Sequence, residues 1–412
     1  MHRHTIAGLT YSAQWNFDKE RMIHSLLFLP RLTAAFFVIM GCSSPTWSQS
    51  INIDREVMLE KGNDITPSAI VSTSDGGFII TGLSSGQTAA WATRVNAQGE
   101  VLWRYLDTRI ENHRTRSQSV FTGAVMLPDN SVLLCGSKIL ATGQVGFLTR
   151  IDASGSVKDQ RNLYPKGDEK LNWVRFDRCI PWSDGIALVG TVAGEPKAVG
   201  WLIKLDAHGE LQWEMTGPEF IADDAIETSD RSLILASTDI GTFKVALVRV
   251  DSLGHAKARR VIACKNACGA FVLFHTPLTP PPATLAFATV EWPTTTLYEL
   301  DLNFNDIKPV KSIDSILPKR GYKLADGSLV TFGNTKIGNA YNASIGLVDA
   351  KGGLTVHRFQ PIWSANGHQI DEESIAVEDA VPLSERKFVA VHDWMANKRE
   401  KIGFFMDWVS FK

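Results

Sequence analysis

The sequence predicts an all-β fold, a seven-bladed β-propeller of four-stranded antiparallel blades. Three observations carry this: two interleaved series of turn motifs, a repeat period of about fifty residues, and an orphan strand at the N-terminal end. The first series is a basic residue, an apolar residue, Asp or Asn, two variable residues, then Gly. It occurs as Arg94-Val95-Asn96 with Gly99, Arg150-Ile151-Asp152 with Gly155, Lys204-Leu205-Asp206 with Gly209, and Arg249-Val250-Asp251 with Gly254. Leu347-Val348-Asp349 with Gly352 is a weaker copy and Leu300-Asp301 a degenerate one. The second series is a polar turn between apolar runs: Asp75-Gly76, Asp129-Asn130, Asp184-Gly185, Asp230-Arg231 and Asp326-Gly327. Asp, Asn and Gly suit such hairpins because they accept positive φ at low cost. The landmark glycines lie 56, 54 and 45 residues apart, and a further 98 residues, two units, separate Gly254 from Gly352. A single four-stranded unit cannot bury both faces, so neighbours must stack, and closing the ring removes exposed edges.

Taken in order, Met1 to Glu20 is polar and mixed, and Arg21 and Arg31 precede the apolar run Leu32 to Gly41. That run is too short to span a bilayer and suits the h-region of a signal peptide, expected over residues 1–41, with Met22 as an alternative start. Residues 42–50 are expected to form a Ser/Pro-rich tether and 51–412 a single propeller domain. The first unit spans Ser68 to Asp107, with strands at Ala69–Thr73, Phe78–Leu83, Trp91–Val95 and Val101–Leu106. The next three run from Ser119 to Tyr164, Arg175 to Thr216 and Asp223 to Ala263. The fifth, Gly269 to Val310, is the most degenerate, with Pro277 and Pro280-Pro281-Pro282 where its first hairpin turn belongs. The sixth covers Ile316 to Pro361, and the seventh begins near Ser374, with strands at Ala376–Pro382, Lys387–His392 and Ile402–Val409. It is one strand short. Glu56-Val57-Met58-Leu59 matches Glu100-Val101-Leu102-Trp103, the fourth strand of the first unit, so the segment from Ile51 to Glu60 is expected to complete the last blade.

Two resemblances add to this reading. Ile39-Met40-Gly41-Cys42 resembles the lipobox of bacterial lipoproteins, with Ile39 in place of the usual Leu. It implies a lipidated Cys42, and Ser43 after it favours the periplasmic side of the outer membrane; ordinary cleavage after Ser48-Gln49-Ser50 would instead leave a soluble periplasmic or secreted protein. The pattern Gly200-Trp201-Leu202-Ile203-Lys204-Leu205-Asp206 with Gly209-Glu210-Leu211-Gln212-Trp213 is similar to the repeats of exported bacterial β-propeller lipoproteins. So are Thr228-Ser229-Asp230 with Leu233-Ile234-Leu235-Ala236, and Thr73-Ser74-Asp75-Gly76-Gly77-Phe78-Ile79-Ile80-Thr81-Gly82. This resemblance covers most of residues 51–412 and implies a fold and an exported location, not a mechanism.

The net charge is −2 and 44% of the residues are hydrophobic, with no polybasic block and no second long apolar run. A nucleic-acid partner or a multispanning protein is therefore not expected; membrane contact is expected through the lipid anchor alone, and the chain is expected to be monomeric. Asn96-Ala97-Gln98-Gly99-Glu100-Val101-Leu102-Trp103 distantly resembles a quinoprotein repeat, but no ligand set for that cofactor accompanies it, and the Trp reads as packing between blades. The sialidase-type turn lacks its Trp at Phe78, and no Gly-x-Ser-x-Gly elbow occurs. The ten histidines are scattered: His208 and His255 sit in equivalent turns, and His113, His275, His357, His368 and His392 stand alone. No catalytic residue, cofactor or metal is expected from these patterns. Cys264 and Cys268 are expected to form a disulfide stapling the connection between units four and five, whereas Cys135 and Cys179, on strands of adjacent units, are equally consistent with a disulfide or with buried thiols.

Long connections between blades mark a binding face. One holds Arg109, His113, Arg114 and Arg116; the next Lys166, Lys170, Trp173 and Arg175; the third Trp363, Asn366, His368 and Asp371. Arg and Trp are enriched at binding hot spots. The expected function is a non-catalytic module that binds a protein partner in the cell envelope through this face. An inhibitor or immunity protein that blocks a toxin enzyme is a second reading, and a hydrolase or lyase with its site in the central channel a third.

Overall fold

The computed structural model describes residues 50–412 apart from 62–64, 85–87, 109–117, 142, 167–172, 183, 194–197, 218–220, 240–243, 263–268, 276–283, 292, 315, 338–339, 360–373 and 397–399. All its regular structure is strand, arranged as an all-β, propeller-like fold. After β1 (Ile51–Lys61), strands follow in sets of four. The first set is β2 (Ile65–Ser72), β3 (Phe78–Ser84), β4 (Ala89–Val95) and β5 (Val101–Leu106). The second is β6 (Ser119–Met126), β7 (Val132–Leu140), β8 (Gly143–Ile151) and β9 (Val157–Leu163). The third is β10 (Trp173–Trp182), β11 (Gly185–Ala193), β12 (Val199–Asp206) and β13 (Leu211–Gly217), and the fourth β14 (Asp224–Glu227), β15 (Leu233–Asp239), β16 (Lys244–Val250) and β17 (Ala256–Ile262). The fifth is β18 (Gly269–His275), β19 (Thr284–Glu291), β20 (Thr294–Asp301) and β21 (Ile307–Asp314), and the sixth β22 (Ile316–Lys323), β23 (Leu329–Ile337), β24 (Ala340–Val348) and β25 (Leu354–Arg358).

The last set, β26 (Ser374–Ser384), β27 (Lys387–Ala396) and β28 (Glu400–Phe411), takes β1 as its outer strand. β1 runs antiparallel to β28, with Ile53 opposite Val409 and Val57 opposite Met406. Short parallel bridges, at Trp173 with Gln144 and at Phe274 and His275 with Gly321 and Tyr322, join the second set to the third and the fifth to the sixth. Strand ends shift slightly from expectation. β2 begins at Ile65 rather than Ala69, because a bulge between Pro67 and Ala69 lets the ladder continue past a proline that cannot donate to it.

The core lies between sets, and this explains the unbroken apolar runs. Phe78 and Ile80 pack with Val389, Val391, Phe404 and Met406 of the last set, while Ile79 between them packs with Phe121 and Leu134 of the second. Side chains alternate across a strand, so a strand buried on both faces is apolar at every position. The same sandwiching repeats through the chain, from the second set against the third to the sixth against the last. Trp103 packs between sets, as expected, and Trp213 does so too. Outer strands such as β17 and β21 are largely exposed and rich in Lys and Arg, and β21 carries Pro309; charge and proline both deter edge-to-edge pairing.

The two turn series are physically linked. In the third set the Asp206 carboxylate accepts from the backbone N–H of His208 and Glu210, each at 2.8 Å, and Gly209 completes the turn at φ 87°, a conformation that side chains disfavour. Asn96, Asp152, Asp251 and Asp349 make the same pair of bonds in their own turns. The basic residue two positions earlier then joins one series to the other. Arg94 donates to Asp75 at 2.7 Å and to the Ala153 carbonyl of the next set at 3.0 Å. Arg150 pairs with Asp129 at 2.6 Å, and Arg249 with Asp230 and, at 3.0 Å, with the Leu302 carbonyl of the next set. Lys204 reaches Asp184 at 3.2 Å and the Trp182 carbonyl at 2.6 Å. The repeat motif therefore stitches each of the first four sets internally and, through Arg94 and Arg249, the first and fourth to their successors.

Candidate functional site

The first strands of the sets touch one another in chain order, and β26 touches β2. Among the described residues, apart from the two short bridges, no ladder joins these strands on that side, and side chains supply several of the partners. Thr122 donates to the Phe176 carbonyl at 2.9 Å, and the Phe176 N–H donates to Ser137 at 3.2 Å. The Leu273 N–H donates to Asp224 at 3.1 Å, the Val377 N–H to Asn334 at 2.9 Å, and the Ile70 N–H to Asp379 at 3.0 Å.

First strands repeatedly carry a bulge of the same kind, among them those between Phe176 and Arg178, Pro318 and Arg320, and Val377 and Asp379. A bulge re-aims the side chain that follows it. Here it turns Arg178, Arg320 and Asp379 towards a common cluster. Arg320 grips Asp379 through Nε at 2.7 Å and Nη2 at 3.3 Å. Its Nη1 lies 3.0 Å from His275 Nε2 and 3.7 Å from Asp224 Oδ1, and Arg178 Nε lies 3.7 Å from the same oxygen. His275 Nε2 is 3.7 Å from Asp224. Both carboxylates are buried, while the His275 ring is partly exposed. Burial pushes the Asp224 carboxyl up, but the His275 hydrogen bond and the Arg178 and Arg320 charges outweigh it and hold it well below the usual range. His275 is lowered by burial and by Arg320, against the opposing pull of Asp224. The Tyr322 hydroxyl, raised mainly by burial, donates to the Ala380 carbonyl.

Of the residues predicted to bind a partner, Arg109, His113, Arg114, Arg116, Trp363 and His368 lie outside the described residues, as do Cys42, Cys264 and Cys268. Trp173 and Arg175 are placed, and they differ from expectation in one respect: they belong to β10, opposite Ala193 and Thr191, rather than to a connection. The ladder extends this far because Val174 and Phe176 alternate with them into the core. Trp173 is 57% exposed, which marks it as available surface. Arg175 pairs with Asp177 at 2.6 Å, and Asp177 also accepts from Thr191 at 3.3 Å. Burial drives the Asp177 carboxyl up, Arg175 pulls it down and Asp223 adds to the rise, leaving it at about 6. Along β10, then, the exposed Trp173 and Arg175 lead directly into the charged cluster at Arg178.

The open question over Cys135 and Cys179 is resolved: they form a disulfide between β7 and β10, with Cα atoms 6.3 Å apart. Gly123 makes room for it, since a Cβ there would meet the Cys179 sulfur at 2.8 Å.

Sequence reasoning does not single out Arg178, Asp224, His275, Arg320 or Asp379. The available signal was a charged residue inside an otherwise apolar first strand; what sequence could not show is that residues from five units meet.

No protein-family model matches the chain, and no curated protein matches it significantly. Solved structures similar to it include the Dos1 propeller, at 12% identity over 87% of this chain and 95% of that one, with a TM-score of 0.48. Another is a puromycin hydrolase, at 17% identity over 84% of this chain and 52% of that one, TM-score 0.47. A third is the extracellular domain of a one-component system, BT4673, from B. thetaiotaomicron, at 9% identity over 86% of this chain and 40% of that one, TM-score 0.49. Likeness at this level carries no argument, so the function is argued from the residues.

Proposed function

We propose that the protein is an exported, lipid-anchored binding module: a seven-bladed β-propeller, closed by its N-terminal strand, that engages a protein partner of the cell envelope through the face on which β10 begins. Support for the ring is the contact of first strands in sequence and of β26 with β2, together with the pairing of β1 and β28. Support for export is the Cys135–Cys179 disulfide, which belongs to an oxidising compartment, alongside the lipobox-like sequence ending at Cys42.

The observation that carries the binding reading is Trp173. A largely exposed indole, next to an exposed Arg175, has the chemistry of an interface anchor. The test is site-specific photocrosslinking from position 173 in cells, repeated with Arg175→Ala. One discrete envelope adduct, weakened by Arg175→Ala and absent when the crosslinker is moved to Asp159 on the outer strand β9, is the expected result. Equal, diffuse labelling from both positions would overturn it.

One observation favours the hydrolase or lyase reading, the approach of His275 to Asp224 and Arg320. The pairing itself weighs against it. Each carboxylate is already engaged by cations and a backbone N–H, which is what a clasp between strands requires and what a free general base lacks.

A further inference from the structure

We infer that Glu56, His392 and Asp407 form a binding site for a divalent transition metal of the zinc class, clamping β1 to β27 and β28. Glu56 and Asp407 face each other across the β1–β28 ladder, and His392 is opposite Phe405 on the β27–β28 ladder. The period of two in a strand puts Phe405 and Asp407 on one face, so the three side chains share it. One donor atom from each lies within 4.8 Å of the others.

Their surroundings argue against an ordinary polar cluster. His392 and Asp407 are buried, and the His392 ring lies between Phe405 at 5.3 Å, stacked, and Phe359 at 5.4 Å. His392 Nε2 pairs with Asp407 Oδ2 at 2.8 Å. Beyond that pair, His392 Nδ1 and Asp407 Oδ1 have no hydrogen-bond partner among the described residues. Leaving such atoms unsatisfied in an apolar core is costly, and a cation held by one imidazole nitrogen and the two carboxylates offsets part of that cost. One imidazole and two carboxylates suit zinc and its neighbours.

A route in also exists. Glu56 lines a cleft of about 810 Å³ between β1 and β25, which His357 and Phe359 line from the other side. Arg55 and Arg358 share that cleft, but Arg55 stacks on Trp408 at 4.7 Å and donates to the Gln98 carbonyl, away from the three donors. His357, which lines the same cleft, is a candidate for a fourth ligand, and water is the alternative.

The test uses the full chain, stripped with chelator, equilibrated with Zn²⁺ and desalted. Metal analysis should find one ion per chain, and calorimetry should give its affinity. Glu56→Gln, at a half-buried position that tolerates the amide, should weaken binding at least tenfold with the circular dichroism spectrum unchanged. Asp407→Asn should do the same, and His208→Ala, in a surface turn, should not. Bound Co²⁺ should change its visible spectrum in Glu56→Gln. Less than half an ion per chain, or Zn²⁺ affinity unaltered in folded Glu56→Gln, would overturn the site. Preferential retention of Ca²⁺ over Zn²⁺ would overturn the metal class.

Discussion

The backbone N–H of Ile70 donates to the Asp379 carboxylate at 3.0 Å across 309 residues of sequence. The same carboxylate receives the Arg320 guanidinium, so one buried side chain holds the two ends of the fold to the strand before them.

The N-terminal strand completes this join. β1 contributes the buried Leu59 and the partly buried Ile53, Val57 and Met58, and it covers the ladder edge of β28. Deleting residues 51–60 is expected to lower unfolding stability by on the order of 5 kcal/mol and to promote aggregation through the bared edge. Denaturant titration and size-exclusion chromatography check both. Deleting residues 43–49 instead should leave the midpoint unchanged.

Asp224 is the only carboxylate among the described residues that faces Arg178, His275 and Arg320 together. Asp224→Ala leaves those cations without their shared counter-charge and strips the Leu273 N–H of its acceptor. The expected loss is about 3–5 kcal/mol, the usual cost of breaking a buried ion network. Lys158→Ala, which removes an exposed pair with Asp152, should leave the unfolding midpoint in place.

Asp177 sets a pH dependence. Its folded value of about 6 lies above the ordinary 3.8, so the folded chain holds a proton that the unfolded chain has released. The penalty for ionising it is absent below about pH 4 and complete above about pH 6, so this residue makes stability fall as pH rises through that window. The size is at most roughly 3 kcal/mol. Asp177→Asn should flatten the stability profile between those values and leave it steeper features elsewhere; thermal unfolding at half-unit intervals of pH reads the difference.

The Cys135–Cys179 bond closes a loop of 44 residues, for which chain entropy gives a stabilisation of about 4 kcal/mol. Reduction, or the double change Cys135→Ala with Cys179→Ala, should cost up to that amount. Mass mapping of the exported protein should find this bond intact, and will also report on Cys264 and Cys268. In the same cells Cys42→Ser should move the protein from the membrane to the soluble fraction; unchanged fractionation would rule out a lipid at Cys42.

Much of the strand order was legible in sequence, because its signals are local. An Asp that caps its own turn, a Gly at positive φ two or three residues on, and an apolar run between them need only a few consecutive residues to act, and Asp206 with Gly209 does so in every sense that the repeat requires. The orphan strand at Ile51 was legible as well, since its pattern matches an outer strand and no other place remained for it. Tertiary structure alone decided which side chains meet. Arg178, Asp224, His275, Arg320 and Asp379 come from five sets, and bulges that no local pattern announces re-aim three of them, Arg178, Arg320 and Asp379. Cys135 finds Cys179 only because two neighbouring sets stack, with Gly123 leaving the space. His392, solitary in sequence, lies buried beside Asp407 and Glu56 because the last set is built from both ends of the chain. A turn is determined by the covalent neighbourhood of its residues; a charged cluster is determined by the register between strands, which many distant apolar contacts set together.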